Sequence, residues 1–493
     1  MLDYDVVIIG GSLTGRYAAL KAAQMQARVA LVEPQSWEEP IGPILGTFYG
    51  QALGTVSQSL DRTGDLQNLG FFQDCPGIQL ESPAEADSEV NRGAIWDNLQ
   101  YWAKQVTHNA AESYSLNHLA TQGVDVVLGQ GEFVAKPRLG FRVNQRMLRS
   151  RTYLLATAGK PNIPDIPGLS LTGFLTPRTL AKLSQIPPRL VVIGGDPRGL
   201  ELAQTFAQLG SQVTIAVQSS QILAQEDPEV SGLIQARLEA MGIQVLTQVD
   251  VIQAQKIAAQ KWIQIGNKAI EVNEIFLAAG QQPDLDHLNL PGVGVALKRC
   301  SLQLNARLQT TNPRIYACGE AIGGYSLVHL ANYEAQVALK NALYWPTFQV
   351  SYRGIPWALF SYPQVARVGL TEQQARWRYG NQVWVRQDDL KTLPRAMLAQ
   401  ETTGFLKLIG HRNGKILGAS VVSPQASEII NTLALAIRQN LKLKAISAHP
   451  HVWLTFSEII VQTAQAEIHQ HRRDNQTLFN WIENLFLWRR YWS

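Results

Sequence analysis

Residues 5–33, DVVIIGGSLTGRYAALKAAQMQARVALVE, decide the fold of this chain. Asp5–Gly10 is a short β-branched run, the pattern of a buried strand. Gly10, Gly11 and Gly15 follow it, and an Ala-rich helix runs on through Ala27. A second strand, Arg28–Val32, ends at Glu33. Strand, glycine turn, helix, strand and acid together make the βαβ unit that binds dinucleotides. The glycines let the backbone approach a pyrophosphate at the helix N-terminus, and the acid accepts hydrogen bonds from the adenosine ribose hydroxyls. Ser12 replaces the usual middle glycine and narrows that approach.

A second such unit begins at Leu190–Gly195, LVVIGG. Gly194, Gly195 and Gly199 precede a helix that carries Glu201, and Gln212–Val217 is the next strand. Here the middle glycine is Asp196, which sets a carboxylate beside the expected pyrophosphate. Like charges there repel unless a cation intervenes. The second strand ends in Val217-Gln218, with neither a ribose acid nor an Arg for a 2′-phosphate. A working nicotinamide nucleotide site and a retained fold with a weakened site both stay open.

The chain has 493 residues, 46% of them hydrophobic and 17% charged. That length suggests roughly three domains, at about 150 residues each. A net charge of +4 with interspersed signs gives no case for a nucleic-acid partner. Membrane-spanning runs of about 18 apolar residues and a signal peptide are both absent from the reading. The cysteines are Cys75, Cys300 and Cys318, far apart and odd in number, which suits a reducing, cytoplasmic setting.

Two βαβ units joined by ATAGKPNIPDIPG (156–168) resemble the pyridine nucleotide–disulfide oxidoreductase family. Further similar segments follow in order: FLAAGQQPD (276–284), TTNPRIYACGEA (310–321), LVHLANYEA (327–335) and SYPQVARVGLTEQQA (361–375). The resemblance covers residues 1–465 or so. It implies an α/β fold with two Rossmann-like domains and an α+β C-terminal dimerisation domain. The expected division is an FAD domain at 1–158 and 281–348, a nicotinamide-type domain at 159–280, an interface domain at 349–468 and a tail at 469–493. It also implies a homodimer whose active sites draw on both chains. The FAD contacts it implies are Gly10, Gly11, Ser12, Gly15, Glu33, Thr157, Gly159, Gly319, Glu320 and His329. Nicotinamide nucleotide contacts fall to Gly194, Gly195, Gly199 and Gly280. Glu320 stands at the family's ribityl-binding aspartate, one methylene longer.

The departures matter as much. GTFYGQAL (46–53) aligns with the family's redox-cysteine segment and puts Thr47 at the flavin-facing thiol, with Gly42 at its partner. The nearby lysine is Gln51, while its ion-pair partner Glu201 stays. WLTFSE (453–458), similar to a mercuric reductase segment, places Trp453 at the usual histidine base and keeps Glu458, which would orient it. Disulfide reduction needs thiols and an imidazole to take and return a proton. Mercuric ion reduction is not expected either, because no cysteine pair ends the chain. The resemblance therefore implies an FAD-dependent oxidoreductase passing electrons from NAD(P)H to a quinone, nicotinamide, small molecule or protein. Thr47, Gln51 and, from the other chain, Trp453 would line its acceptor side, with Trp453 stacking on an acceptor or filling the pocket, and Glu201 and Glu458 would complete the catalytic set. The alternative is a silent flavoprotein acting as sensor or scaffold. Neither the acceptor nor a preference for NADH or NADPH is legible.

The triplets HPH (449–451) and HQH (469–471) lack Cys or carboxylate partners at ligand spacing, so no metal is expected. Beyond them, Trp481, Leu485, Trp488 and Trp492 recur at helical spacing beside Arg489 and Arg490. That tail either packs on the dimer or docks peripherally on a membrane surface or partner protein.

Overall fold

The computed structural model describes residues 2–34, 48–68, 89–258, 260–298, 301–324, 326–474 and 476–491. Thr47, Gly42, Cys75, Cys300 and Trp492 lie outside the described residues. The chain forms two compact units, residues 1–220 with 241–351 and residues 221–240 with 352–493.

In the first unit, β1 (Tyr4–Ile9), α1 (Leu13–Gln24) and β2 (Val29–Glu33) form the βαβ motif. The strands pair in parallel, Val6 opposite Val29 and Ile9 opposite Val32. They belong to a five-stranded parallel sheet completed by Asp125–Leu128, Ser150–Leu155 and Ile315–Ala317. Val7, Ile9, Ala30 and Val32 pack on one face with Phe133 and Tyr153. Val6, Ile8, Val29 and Leu31 pack on the other with Ala18, Ala19 and Ala22 of α1. Burial on both faces explains why the strand reads as an unbroken apolar run. Small alanines on α1 let the helix sit close, which brings its N-terminus over the end of β1.

Further along, α2 (Gly50–Asn68) carries Gln51 in its first turn. The second βαβ motif is β3 (Arg189–Ile193), α3 (Pro197–Gln208) and β4 (Gln212–Ala216), in a four-stranded parallel sheet. Leu200, Leu202, Ala203 and Phe206 bury one face of α3. A side chain the size of Phe206 contributes about 1.5–3 kcal/mol on burial. α2 runs against α3 at two glycines. A Cβ on Gly54 would lie 3.2 Å from Thr205 Oγ1, and one on Gly50 would lie 3.7 Å from a Leu202 methyl. The close approach brings the helix of Gln51 beside the helix of Glu201. Helix α5 (Val328–Leu343) packs beneath the first sheet.

The second unit holds α4 (Pro228–Ala240), a five-stranded antiparallel sheet over 356–423, α6 (Ala426–Arg438), α7 (Glu458–Asp474) and α8 (Gln476–Tyr491). Ile429, Ile430, Leu433 and Ile437 of α6 close one face of the sheet with Ile459 and Ile460 of α7. Among the described residues, no helix is long and apolar enough to cross a membrane.

Candidate flavin and nucleotide sites

The turn after β1 is shaped for close approach. Gly10 has φ +110°, and a Cβ there would lie 2.5 Å from Thr157 Cα. On Gly15 it would lie 1.9 Å from the Gly10 carbonyl, so neither position accepts a side chain. Ser12 caps α1: its Oγ accepts from Gly15 N–H at 3.2 Å and donates to the Ala156 carbonyl at 2.7 Å. The serine thus turns into the protein and spares the space above the turn. A Cβ on Gly11 would meet the Glu33 carboxyl carbon at 2.2 Å, which puts the acid directly over the turn.

Glu33 does not stand alone. Arg16, which the sequence reading passed over, forms an ion pair with it, both side chains being buried. The same guanidinium donates to the Gly11 carbonyl at 3.2 Å and the Tyr114 carbonyl at 2.9 Å.

Below the sheet end, Glu320 collects three partners. It accepts from Gly159 N–H at 2.6 Å, takes a short hydrogen bond from Ser326 Oγ, and faces Arg178 Nη2 at 3.6 Å. Gly319 has φ +64°, and its N–H donates to Glu334 Oε2 at 2.8 Å. A Cβ on Gly319 would approach Ala331 of α5 at 3.1 Å and Thr14 of α1 at 3.6 Å. Glu334 is a second residue missed from sequence; a carboxylate buried on a helix has no periodic signature. His329 lies exposed on the first turn of α5. Cys318 is fully buried, and burial, reinforced by Glu334, pushes its thiol well above the ordinary range.

These residues fit FAD. Among the described residues, Thr157 Oγ1 and Gln281 Oε1 are buried polar atoms without a hydrogen-bond partner; Thr157 precedes Gly159 by two residues, and a Cβ on Gly159 would lie 3.3 Å from Gln281 Cβ. Orphans of this kind are costly unless a ligand meets them.

The second turn is built differently. Gly194 has φ +106°, and a Cβ on Gly199 would meet Ala278 Cβ at 2.4 Å, so close strand–helix packing is kept. Asp196 caps α3 and is held by Arg198, Nε to Oδ1 at 3.0 Å and Nη2 to Oδ2 at 2.9 Å. Where Glu33 stands over Gly11, Gly195 faces Val217 instead, at 3.7 Å from its Cγ1. Gln218 beside it donates to Asp250 at 2.9 Å. Gly280 has φ +84° at the end of the sheet.

In the second unit, Trp453 is 68% exposed. Glu458 is buried, and its Oε1 accepts from Gln462 at 3.1 Å.

Two dinucleotide-type folds, a flavin-side glutamate and an antiparallel C-terminal domain define a nucleotide-dependent flavoprotein. Residues 4–335 match the pyridine nucleotide-disulphide oxidoreductase family and residues 355–464 match its dimerisation domain, and the chain belongs to that family. It is 31% identical to the mercuric reductase of Staphylococcus aureus over 463 residues, 92% of this chain and 81% of the relative. It is 28% identical to the dihydrolipoyl dehydrogenase of Bacillus subtilis (strain 168) over 94% of this chain and 99% of the relative. Its fold is similar to that of the HOCl-induced flavoprotein disulfide reductase RclA from Escherichia coli, with a TM-score of 0.77, 24% identity and coverage of 93% and 99%. Members of the family are FAD-binding flavoproteins that use NAD(P)H. The dimerisation domain supports a homodimer.

Proposed function

We propose that this chain is an FAD-dependent oxidoreductase that passes electrons from a reduced nicotinamide nucleotide to an acceptor other than a disulfide. The observation that carries this reading is an intact flavin-side framework without its thiols. Gly10, Gly11, Gly15, Glu33, Gly319 and Glu320 keep their places, whereas Thr47 and Gly42 replace the cysteine pair. Cys318, the one cysteine in that framework, is buried and held as a thiol.

In this reading the α1 turn takes the FAD pyrophosphate on its backbone N–H groups. Ser12 keeps the turn closed from beneath, and Glu33, oriented by Arg16, accepts the adenosine ribose hydroxyls. Thr157 Oγ1 and Gln281 Oε1 meet the cofactor with otherwise unused polar atoms. Glu320, fixed by Gly159 and Ser326, faces the ribityl chain, and His329 lies where α5 begins. When bound, FAD supplies two-electron reduction from a hydride donor and release of those electrons to an acceptor. Gln51, on the helix adjacent to that of Glu201, lines the acceptor side, to which the sequence also assigns Thr47. Trp453 and Glu458 enter from the partner chain, and Trp453 offers a flat apolar face to a planar acceptor.

The tail adds a surface. Trp481, Trp488 and Tyr491 of α8 are exposed beside Arg489 and Arg490. That combination supports peripheral contact with an anionic membrane, which would suit a quinone acceptor.

Anaerobic titration of the yellow protein with NADH and NADPH tests the reading. Bleaching of the flavin band without a long-wavelength charge-transfer shoulder is the expected result. A flavin that neither nucleotide bleaches would favour a silent sensor or scaffold instead.

A further inference from the structure

The two glycine turns of the first unit fold alike and finish differently. At α1 the cap is the neutral Ser12, and no acid lies in the first turn. Leu13 and Thr14, at the first two helical positions, carry N–H groups that no intrahelical carbonyl can reach. The positive end of that helix is open to an anion.

At α3 each of the corresponding donors is missing or used. Position one is Pro197, which has no N–H. Position two is Arg198, whose N–H donates to Asp196 Oδ1 at 3.0 Å. Position three is Gly199, whose N–H goes to the Asp196 carbonyl at 2.8 Å. The Asp196 N–H itself goes to the Ala278 carbonyl at 2.9 Å. A carboxylate already answers the positive end of the helix. The Arg198 guanidinium grips both its oxygens, the two side chains being 20% and 15% exposed. Burial opposes the Arg198 cation, but Asp196, Glu320 and Glu201 together outweigh it, so the guanidinium stays charged.

We propose that Asp196 is the resident anion of the second nucleotide fold. Its carboxylate takes the place of a dinucleotide pyrophosphate at the start of α3 and weakens, without abolishing, the binding of NADH and NADPH in that pose. Pro197 and Arg198 complete the closure, one by lacking a donor and the other by fixing the carboxylate. The missing acid at Val217 removes the ribose contact that would offset the loss. The inference rests on the reading that this fold is the electron-donor side. It assigns Asp196 as the residue that sets donor affinity.

The test is calorimetric titration of the FAD-loaded protein with ADP-ribose, the unreactive part of the donor. Wild type is compared with Asp196→Ser and Asp196→Asn. Serine reproduces the neutral cap of Ser12, so α3 keeps its N-terminus, and thermal melting checks that both variants fold. Both variants should bind ADP-ribose at least tenfold more tightly than wild type. Binding that is unchanged or weaker in both overturns the proposal. Anaerobic NADH titration of Asp196→Ser separates this from the donor reading. Tighter ADP-ribose binding without flavin bleaching keeps Asp196 in its role and removes NAD(P)H as donor. Bleaching with unchanged ADP-ribose affinity does the reverse.

Discussion

The guanidinium of Arg16 is ion-paired to the carboxylate of Glu33, with both side chains shut away from water. The pair joins the first turn of α1 to the end of β2, the two points that hold the adenosine half of FAD in the proposed function. Removing one partner of a buried pair leaves the other charge uncompensated and costs about 3–5 kcal/mol. Arg16→Met should therefore lower the melting temperature sharply and release flavin, read as a fall in the ratio of flavin to protein absorbance. Arg16→Met with Glu33→Gln should regain much of the stability but not the flavin.

The glycine turn makes a narrower prediction. A Cβ at residue 15 would sit 1.9 Å from the Gly10 carbonyl, so α1 must shift away from β1 to admit it. Gly15→Ala should purify colourless, while the antiparallel second unit still melts cooperatively. A yellow Gly15→Ala protein would count against the flavin site drawn here.

Tyr49 lies within the GTFYGQAL segment, two residues after Thr47, and its hydroxyl is fully buried without a hydrogen-bond partner among the described residues. Burial pushes its pKa up to about 12. A raised pKa means the folded state favours the neutral phenol. The stabilisation is complete below the ordinary value of about 10 and is lost as pH climbs from about 10 through about 12. For a shift of about two units the loss approaches 3 kcal/mol. Tyr49→Phe should flatten that alkaline decline in denaturant melts. Near pH 7 it should be neutral or stabilising by about 1 kcal/mol, since it deletes an unsatisfied group.

In the second unit, Lys407 is 2% exposed and faces Asp227 at 3.7 Å, Glu229 at 3.2 Å and Glu372 at 2.7 Å. Burial opposes its charge, yet the surrounding carboxylates raise its pKa. Lys407→Met would strand the equally buried Asp227, at a cost of about 3–5 kcal/mol. Adding Asp227→Asn should recover part of that loss. Urea melts of the two variants give the comparison directly.

Trp481, Trp488 and Tyr491 lie exposed on α8 at 62%, 59% and 88%. The protein should cosediment with vesicles containing anionic lipid and not with neutral ones. Trp481→Ser with Trp488→Ser should abolish it without changing the flavin spectrum. Equal recovery with both lipids, or with neither, would argue for a protein contact or for packing on the dimer.

The sequence by itself determined the α/β class, the family and the two glycine turns. Those depend on local patterns: an apolar strand, glycines where a Cβ cannot fit, and small residues on the helix behind. It also has no cysteine at Thr47 or Gly42, the positions that the resemblance gives to the redox pair. Charge was legible only one position at a time. Asp196 read as a repulsive group, but in the fold it is the cap of its own helix and the partner of Arg198 two residues on. Nothing in the sequence singles out Arg16 or Glu334, yet they are buried where they hold Glu33 and the Gly319 backbone. Whether a carboxylate repels a ligand, stands in for one or fixes a neighbour depends on which donors lie within about 3 Å. Only the tertiary structure sets those distances, since it brings β2, α1 and α5 together from distant parts of the chain.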